Sequence, residues 1–510
     1  MTQISASQRA TTLPDHVRTF VVGAGFAGLG AAIKLDESGF SDFLVVDKGD
    51  TVGGTWRDNT YPGAACDVPS QLYSFSFAPN PSWSRSFSPQ PEIQAYLERT
   101  AENAGVMDRF RFGITVLDIA WDEGDRIWRV STDHGDVSAD VVITASGGLS
   151  EPRLPEIEGI ESFEGELFHS ARWNHDYDLT GKRVAVIGTG ASAIQIVPEI
   201  TKQVEHLDLY QRTPPWVMPR RDRDYTKIER FGFRHLPGFQ KAYRTGIYWG
   251  RECFVPGFTV NPRLAAPAKK LALKNIDDGI SDPELRKAVT PDFAIGCKRI
   301  LISNDYYPAL DSEHVDLVTD GIARITPSGI VTKDGTVREV DAIVVATGFF
   351  TTEQPIAAHI KGRDGRTLAD AWSEHGMTAY KGTTIAGFPN LFQIVGPNTG
   401  LGHSSMVFII ESQIAYIRSA LQKMGEREIA TVEPRADAQE AWNIDVQRRM
   451  QRTVWNTGGC ASWYLDAHGR NTVLWPRTTF KFRSLLSEFD TEQYVVTSRH
   501  DATEPQERVA

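Results

Sequence analysis

The stretch TFVVGAGFAGLGAAIKL, Thr19–Leu35, decides the fold of the amino-terminal part of the chain. Its apolar start predicts a buried strand, its glycines a tight turn and its alanine-rich end a helix. Gly23, Gly25 and Gly28 fit the G-x-G-x-x-G fingerprint, which permits the turn, backbone approach to a pyrophosphate and packing of helix on strand. The next apolar run places Asp47 24 residues after Gly23, where an acid accepts hydrogen bonds from a ribose. A structural glycine turn would not need that acid, so we predict a dinucleotide-binding module.

A second stretch, KRVAVIGTGASAIQIVPEI at Lys182–Ile200, repeats the pattern of strand, turn and helix. Gly188, Gly190 and Ala193 occupy the three positions of the fingerprint, and alanine is an allowed third member. The chain therefore carries two Rossmann-like dinucleotide-binding modules, and the predicted fold class is α/β.

The strand after the second turn, HLDLYQRT, offers two interpretations of the bound nucleotide. Asp208 would bind a ribose, which would imply NAD. Alternatively, Arg212 lies 24 residues after Gly188, the same offset that Asp47 has from Gly23. A guanidinium suits a 2′-phosphate through bidentate, charge-assisted hydrogen bonds. The matched offsets favour NADPH here and FAD at the acid-bearing first module, with Asp208 as a carboxylate on the strand surface.

The composition of the 510 residues, 41% hydrophobic and 23% charged, is that of a globular protein. The net charge of −11 argues against a nucleic-acid partner. No apolar run approaches the roughly 18 residues that span a bilayer, so no stable membrane insertion is expected. The amino terminus, MTQISASQRATTLPDHVR, lacks the apolar core of a signal peptide. The four cysteines form no CxxC pair and no metal-ligand spacing, so we expect reduced thiols, no metal and a cytoplasmic location.

The connector between the modules, FEGELFHSARWN, carries the most specific pattern. Its key residues Phe163, Gly165, His169 and Trp173 match F-x-G-x-x-x-H-x-x-x-W. The chain therefore resembles the type I Baeyer–Villiger monooxygenases, a group of class B flavoprotein monooxygenases. That family usually has proline or aspartate where this sequence has Asn174, and related N- and S-oxygenating enzymes usually lack the tryptophan. We interpret the histidine and the tryptophan as hinge and packing residues that set the orientation of the domains.

The resemblance extends over most of the chain and implies residues that contact each cofactor. The loop GGTWRDNTYPGAACDVPSQLYSFSF looks like a flavin-contacting loop, which puts on the FAD side Thr55, Trp56, Asp67 and Tyr73. The segments QRTPPW, GCKRILISNDYYPAL and GGCASWYLDAHGRN put on the NADP side Arg212, Thr213, Lys298 and Trp463. The tryptophan of the last segment would cover the nicotinamide side from a mobile loop.

The resemblance also implies the chemistry. NADPH reduces FAD, and the reduced flavin binds O2 at C4a as a peroxide that must stay ionised to attack a ketone and give an ester or lactone. A permanent cation favours the ionised form; the resemblance gives Arg299 this role, with Asp67 positioning it. Cys66 has no partner cysteine near in sequence, which counts against a disulfide reductase. An N- or S-oxygenating flavin monooxygenase and a non-catalytic nucleotide sensor remain as alternatives.

We predict an FAD domain, an NADPH domain and a helical insert. A strand of the type DAIVVATGFF, at 341–350, is expected to return the chain from the second domain to the first. The predicted bounds are 1–150 and 385–510 for the FAD domain, 151–221 and 296–384 for the NADPH domain, and 222–295 for the insert.

The insert would cover the active site. Within it, SDPELRKAVTP predicts a short helix that begins near Pro283 and ends by Pro291. Its aromatic residues would either line a pocket for a lipophilic ketone or pack the core of the insert. These residues are Phe231, Phe233, Phe239, Tyr243, Tyr248, Trp249 and Phe254. A turn and an apolar helix at 396–417 would bring His403 or Ser404 near the flavin; the sequence is silent on oligomeric state.

Overall fold

The computed structural model describes residues 12–500. Residues 1–11, on which the expected lack of a signal peptide partly rests, lie outside this range. The first elements are β1 (His16–Val22), α1 (Phe26–Glu37), β2 (Phe43–Asp47), α2 (Thr55–Asp58), α3 (Gln90–Ala104), β3 (Phe110–Phe112), β4 (Val116–Asp122), β5 (Ile127–Thr132) and β6 (Gly135–Thr144). β1 pairs in parallel with both β2 and β6. β1 is a central strand with both faces covered. Its last residues are therefore apolar on both faces, which is the pattern from which the strand was predicted.

The second module begins after the connector. Its first elements are β7 (Glu166–His169), β8 (Arg183–Ile187), α4 (Ala193–Ile200), β9 (His206–Tyr210) and β10 (Val217–Met218). The strand, turn and helix of this module are therefore β8, the glycine turn and α4, as predicted.

The insert is helical. It consists of α5 (Lys227–His235), α6 (Phe239–Glu252), α7 (Val255–Thr259), α8 (Ala266–Gly279) and α9 (Pro283–Val289). The helix α9 is the one that the prolines predict, and Asp282 caps it through its side chain. Phe233 of the insert is buried in the core of the first domain, whereas Ile276 is buried in the core of the second. The insert thus packs on both domains.

The chain then completes the second sheet. The elements are β11 (Leu301–Ile302), α10 (Tyr306–Leu310), β12 (Val315–Val318), β13 (Ile322–Thr326), β14 (Gly329–Thr332), β15 (Val337–Glu339) and β16 (Ala342–Val345). Five parallel strands form the sheet in the order β12-β9-β8-β16-β7, and β13, β14 and β15 form a separate antiparallel sheet. β10 pairs in parallel with β11, so the chain segments before and after the insert lie side by side.

The remaining residues return to the first domain. Their elements are β17 (Ile360–Lys361), α11 (Leu368–Ser373), β18 (Leu391–Gln393), α12 (Met406–Glu426), β19 (Ile429–Pro434), α13 (Ala436–Met450), α14 (Val454–Thr457), α15 (Thr479–Leu485) and β20 (Tyr494–Ser498). β17 joins β4 and β18 joins β6, which gives an eight-stranded first sheet. The chain therefore returns to the first sheet before the predicted boundary between 384 and 385. Ala357 and Ile360 already lie in the apolar core around Phe20, so the return comes about 30 residues earlier.

The predicted apolar helix after the turn at 396–405 is α12. Ser405 caps its amino end, and the helix packs against α1 and α15. Although α12 has 21 residues, it carries charged side chains such as Glu411 and Lys423 outside its buried face. No helix within residues 12–500 is long and apolar enough to cross a membrane.

Candidate active site

The first glycine turn is closed so tightly that two of its positions admit no side chain. Gly23 has a φ of +105°, and a Cβ there would lie 2.6 Å from the carbonyl oxygen of Ala145. A Cβ on Gly28 would lie 1.8 Å from the carbonyl oxygen of Gly23. A Cβ on Gly25 would lie 3.6 Å from the Cα of Gly54, in the next loop. The backbone at the amino end of α1 is therefore not covered by side chains of the turn, which lets a bound pyrophosphate approach it closely.

Asp47 braces this turn from the end of β2. Its Oδ2 accepts a hydrogen bond of 2.7 Å from the backbone nitrogen of Ala24. Its Oδ1 accepts one of 2.7 Å from the backbone nitrogen of Gly49 and one of 2.8 Å from Nη1 of Arg57. A carboxylate has about four acceptor sites, so three bonds leave capacity for a ribose hydroxyl. Arg57, which sequence reasoning missed, fixes the orientation of the acid.

The predicted flavin loop lies beside the same turn. Thr55 begins α2 directly after Gly54, and Trp56 Nε1 donates a hydrogen bond of 2.9 Å to the hydroxyl of Tyr73. The Tyr73 ring also packs edge-on against Phe26 of α1, with 5.1 Å between centroids. Burial raises the pKa of Tyr73, so its hydroxyl keeps its proton. The structure thus brings Thr55, Trp56 and Tyr73 to the first module.

The second turn is more open. Gly188 has a φ of +113°, and a Cβ there would lie 2.5 Å from the carbonyl oxygen of Ala346. A Cβ on Gly190 would meet nothing within 4 Å among the described residues. Ala193, the third member, is buried at the first turn of α4. Ser192 makes no side-chain cap, whereas α5 in the insert carries a full capping box. The amides of Ile194 and Gln195 donate to the carbonyls of Gly190 and Ser192, so an anion would approach the glycine turn and the amino end of α4 without displacing a capping side chain.

Two cations meet beside the second turn. The hydroxyl of Thr189 donates a hydrogen bond of 3.1 Å to the carbonyl of Thr213, which holds the segment of Arg212 against the glycines. Burial lowers the pKa of Lys298, and the positive charge of Arg212 lowers it further, against an opposing effect of Asp292. The like charges of Lys298 and Arg212 repel each other, and an anion bound between them would relieve that repulsion. A doubly charged 2′-phosphate fits this arrangement.

Asp67 and Arg299 form a bidentate ion pair between the two domains. The Nε–Oδ2 and Nη2–Oδ1 distances are both 2.7 Å, and Nη1 donates a bond of 3.3 Å to the carbonyl of Leu401. The charge of Asp67 raises the pKa of Arg299. Burial would raise the pKa of Asp67, but the charge and hydrogen bonds of Arg299 outweigh it and lower that pKa. With 25% and 29% of their side chains exposed, both groups border open space.

Two further arginines surround this pair, and sequence reasoning missed both. Arg251 of α6 donates a bond of 3.3 Å from Nη2 to the carbonyl of Asp67. Arg220 lies 3.8 Å from a carboxylate oxygen of Asp222. Burial lowers the pKa of both arginines, yet a guanidinium stays charged at any working pH. No carboxylate of the described residues lies within 4.0 Å of Arg251, so the site carries an excess positive charge.

The predicted nicotinamide-side loop borders Arg299 through the residue after Trp463. Trp463 is 45% exposed, its ring packs on Tyr464, and its carbonyl accepts a bond of 3.2 Å from the hydroxyl of Thr351. Tyr464 is buried close to Arg299. Burial raises the pKa of Tyr464 to about 12, although the nearby Arg299 charge opposes the shift, so the hydroxyl is neutral. Tyr464 was not among the predicted site residues.

Comparison with known proteins agrees with this geometry. A Baeyer–Villiger monooxygenase of Streptomyces coelicolor is 52% identical over 486 residues, which are 94% of this chain and 93% of that protein. The chain belongs to the Baeyer–Villiger monooxygenases. The crystal structure of OTEMO complexed with FAD and NADP has a TM-score of 0.85 at 28% identity, over 94% of this chain and 99% of that one. Cyclohexanone monooxygenase from Rhodococcus sp. Phi1 bound to NADP+ has a TM-score of 0.84 at 30% identity, over 95% and 100%.

Residues 20–229 also match the family described as pyridine nucleotide-disulphide oxidoreductase. That match includes both glycine turns and ends before Arg299. The predicted Baeyer–Villiger family, the α/β fold with two Rossmann-type modules and the monooxygenase class are confirmed. The non-catalytic sensor is thereby set aside.

The connector of this monooxygenase packs in two directions. His169 is buried; its Nδ1 accepts a bond of 3.1 Å from the backbone nitrogen of Ala171, and its ring lies 5.6 Å from that of Phe349. Burial lowers the pKa of His169 to about 4, so the ring is neutral at physiological pH. Trp173 packs edge-on against Phe168, with 4.9 Å between centroids. His169 therefore contacts the loop after β16 and Trp173 packs on β7, so both residues anchor the connector within the second domain.

The other connector residues have steric roles. A Cβ on Gly165 would lie 2.5 Å from the carbonyl oxygen of Asp341 and 2.6 Å from the Phe163 ring, so no side chain fits there. Asn174, the departure from the family pattern, donates a bond of 2.7 Å to Glu166. This asparagine ties the end of the connector to the start of β7.

Asp208 is neither a ribose ligand nor a surface carboxylate, which corrects both interpretations. It is buried in the middle of β9 and forms a 2.5 Å ion pair with Arg338. Arg338 also contacts Asp316 at 2.8 Å, and His206 lies 3.4 Å from Asp208. The guanidinium fills the space between these acids, so the cluster holds the second sheet together. The sequence could not show this, because Arg338 lies 130 residues further along the chain.

The aromatic residues of the insert divide into two groups. Phe233 packs against Tyr225 and Tyr243, with 5.2 Å between centroids in both pairs. The core-packing interpretation therefore describes Phe233 and Tyr243. Phe231 and Trp249 instead expose more than half of their surface.

The turn at 396–405 borders the site through Leu401 rather than His403. His403 is buried, with its Nε2 3.2 Å from Glu252 at the end of α6. Burial would raise the pKa of Glu252, but hydrogen bonds from His403 and Thr479 lower it. The buried pair fastens the insert to the first domain.

The cysteines depart from the expected reduced state. Cys66 is free and buried, and burial raises the pKa of its thiol, in keeping with an inert residue. Cys297 and Cys460 form a disulfide across 163 residues. The expectation of four reduced thiols is wrong, because it weighed only cysteines close in sequence.

Proposed function

We propose that this monooxygenase inserts one oxygen atom of O2 beside the carbonyl of a lipophilic ketone, giving an ester or lactone. FAD would bind at the first glycine turn and NADPH at the second. The observation that supports this proposal is the Asp67–Arg299 pair, open to the space between the modules and accompanied by the unmatched charge of Arg251. When bound, FAD takes electrons from NADPH and activates O2.

Arg299 would stabilise the negative charge that develops on the ketone oxygen. A preorganised cation in a partly buried site contributes on the order of 3–4 kcal/mol to such a step. Asp67 positions the planar guanidinium through both of its oxygens. Because Arg251 adds a charge that Asp67 does not balance, the site favours an anion.

On the other side, Arg212 and Lys298 would hold the 2′-phosphate, with Thr213 shaping the pocket edge. Gly188, Gly190 and the uncapped start of α4 would take the pyrophosphate. Trp463 would cover the nicotinamide from the loop that also places Tyr464 beside Arg299.

The connector would control how the domains are oriented during the cycle. His169 contacts the loop after β16, and Trp173 is anchored in the second domain. We also propose that the FAD domain comprises the residues up to 150 and those from about 357 onward. The second domain would then comprise 151–221 and 296–356, and the insert 222–295. The cytoplasmic location stays a proposal.

The test supplies purified protein with FAD, NADPH, O2, a panel of linear, cyclic and aryl ketones, and one thioether. We expect an ester or lactone by mass spectrometry, and a loss of roughly 10²–10³ in kcat for Arg299→Ala. Arg452→Ala, which removes an exposed arginine, is the matched control. Sulfoxide without any ester would favour the N- or S-oxygenating alternative. An Arg299→Ala enzyme with wild-type ester formation would disprove the assigned role.

A further inference from the structure

The disulfide joins two short segments that each carry proposed site residues. Cys297 directly precedes Lys298 and Arg299. Cys460 lies three residues before Trp463 in the loop beside Arg299. One covalent bond thus connects the proposed 2′-phosphate segment with the loop on the nicotinamide side.

The loop has few other attachments. Ala294 donates a hydrogen bond of 2.9 Å to the carbonyl of Gly458, at the beginning of the loop. Among the described residues, Gly459–Trp463 forms one hydrogen bond to a distant part of the chain. In that bond the hydroxyl of Thr351 donates to the Trp463 carbonyl. The disulfide is therefore the main fixed point of this segment. Breaking it would leave Gly459–Trp463 free to move.

We propose that Cys297 and Cys460 are a reversible oxidation site that governs how tightly NADP is held. The inference rests on the proposed cofactor positions. As a disulfide, the pair keeps the Trp463 loop against the Lys298 segment and slows exchange of the nucleotide. As a dithiol, it releases the loop and speeds exchange. At the proposed cytoplasmic location, a disulfide would be of the transient, redox-sensing kind.

The chemistry requires hydrogen peroxide as oxidant and a small dithiol as reductant. Cys460 is half-buried and Cys297 is fully buried, so peroxide reaches Cys460 first. Its thiolate attacks one peroxide oxygen, the O–O bond breaks, and one water leaves with a sulfenic acid remaining. The Cys297 sulfur then attacks that sulfur and displaces the second water. Two thiols lose two electrons and two protons, and one peroxide becomes two waters; a dithiol reverses the step by exchange.

The experiment uses the full-length FAD-loaded protein, oxidised with hydrogen peroxide or reduced with dithiothreitol. Iodoacetamide labelling and peptide mass spectrometry report the state of each cysteine, and stopped-flow measurement follows NADP+ dissociation without ketone. We expect NADP+ to leave at least threefold faster from the reduced protein. Cys460→Ser should release NADP+ fast under both conditions. Cys253→Ser, which removes the exposed free thiol, should behave as wild type.

Equal NADP+ dissociation rates from the oxidised and reduced wild type would overturn the proposal, as would thiols that never cross-link. The wild-type comparison remains decisive even where Cys460→Ser fails to fold. The dissociation rate of NADP+ is measured without turnover, so it tests the redox site independently of the proposed ketone oxygenation. Redox-dependent exchange without any ester would leave this inference standing and remove the proposed function. Ester formation with redox-insensitive exchange would do the reverse.

Discussion

The two glycine turns share one fingerprint but differ in how much room they leave. In the first, a Cβ on Gly28 would come within 1.8 Å of a backbone carbonyl, and the Gly54 loop closes over Gly25. In the second, Ala193 replaces the third glycine, and a Cβ on Gly190 would meet no atom of the described residues within 4 Å. The first turn is therefore enclosed by backbone, whereas the second leaves open space beside its middle glycine.

The residues at the strand ends differ in the same sense. Asp47 is held by three hydrogen bonds, one of them from Arg57. Arg212 is exposed and lies near another cation, Lys298. A braced acid needs no ligand to be stable, whereas two adjacent cations gain stability when an anion arrives. The two strand ends therefore differ in local electrostatics: the first is already satisfied, and the second favours an anionic ligand.

The largest effect should come from filling the tight turn. Gly28→Ala should destabilise the protein by more than about 4 kcal/mol, because backbone must move to accept the methyl group. We expect loss of flavin absorbance and a lower Tm, or no folded protein. The matched change in the open turn, Ala193→Gly, should cost about 1 kcal/mol and leave FAD content unchanged. Equal effects of the two substitutions would break the comparison.

Removing the exposed cation should affect one nucleotide only. Arg212→Ala should raise the KM for NADPH by roughly tenfold to a hundredfold, because charge-assisted bonds to the phosphate are lost. The KM for NADH, which lacks that phosphate, should barely change, and FAD content should be that of the wild type. Steady-state kinetics with both reductants measures the ratio. A proportional rise of both values would mean that Arg212 does not distinguish them.

A smaller effect is expected at the connector between the modules. His169→Ala removes the ring contact with Phe349 and should lower the ratio of product formed to NADPH consumed by roughly twofold to fivefold, on the order of 0.5–1 kcal/mol. Trp173→Phe, which keeps an aromatic ring against Phe168, is the matched control. Hydrogen peroxide release and flavin content are measured together. Loss of FAD from the His169→Ala protein would contradict the hinge interpretation.

The smallest effect is a shift in pH dependence. The pKa of Lys298 is lowered by burial and by Arg212, so this lysine loses its proton at a lower pH than an ordinary lysine. A charged lysine would hold the proposed 2′-phosphate more tightly than a neutral one, so the KM for NADPH should rise with increasing pH. In Arg212→Ala one cause of the lowering disappears, and the rise should move to higher pH. Profiles of kcat/KM for NADPH in the two proteins provide the check; an unmoved inflection would show that the two cations are not coupled.

Local patterns predicted the parts of the fold that depend on short stretches. The glycine turns, Asp47 and the helix α9 each follow from fewer than about 30 consecutive residues, in which periodicity and turn chemistry decide the structure. Arg299 and Asp67 were placed by resemblance, since nothing local to either residue shows a partner 232 positions away.

The misses share a physical cause, which is pairing over long sequence distance. Asp208 was predicted to lie on the strand surface because its partner, Arg338, lies in another sheet and cannot be identified from the sequence around Asp208. Arg251 contacts Asp67 only after the insert has folded back over the first domain. The early return of the chain near Ala357 depends on burial in a core assembled from distant strands, which no run of residues reveals.

The adjacency of Lys298 and Arg299 matters for any redesign of the preference for NADPH over NADH. Because the two residues are adjacent on one short segment, a substitution at Lys298 would risk moving Arg299 as well. Arg212 and Thr213 belong to a different strand end, held by Thr189 and remote in sequence from that arginine. An engineer who wants NADH in place of NADPH should therefore vary positions 212 and 213 and leave 298 intact.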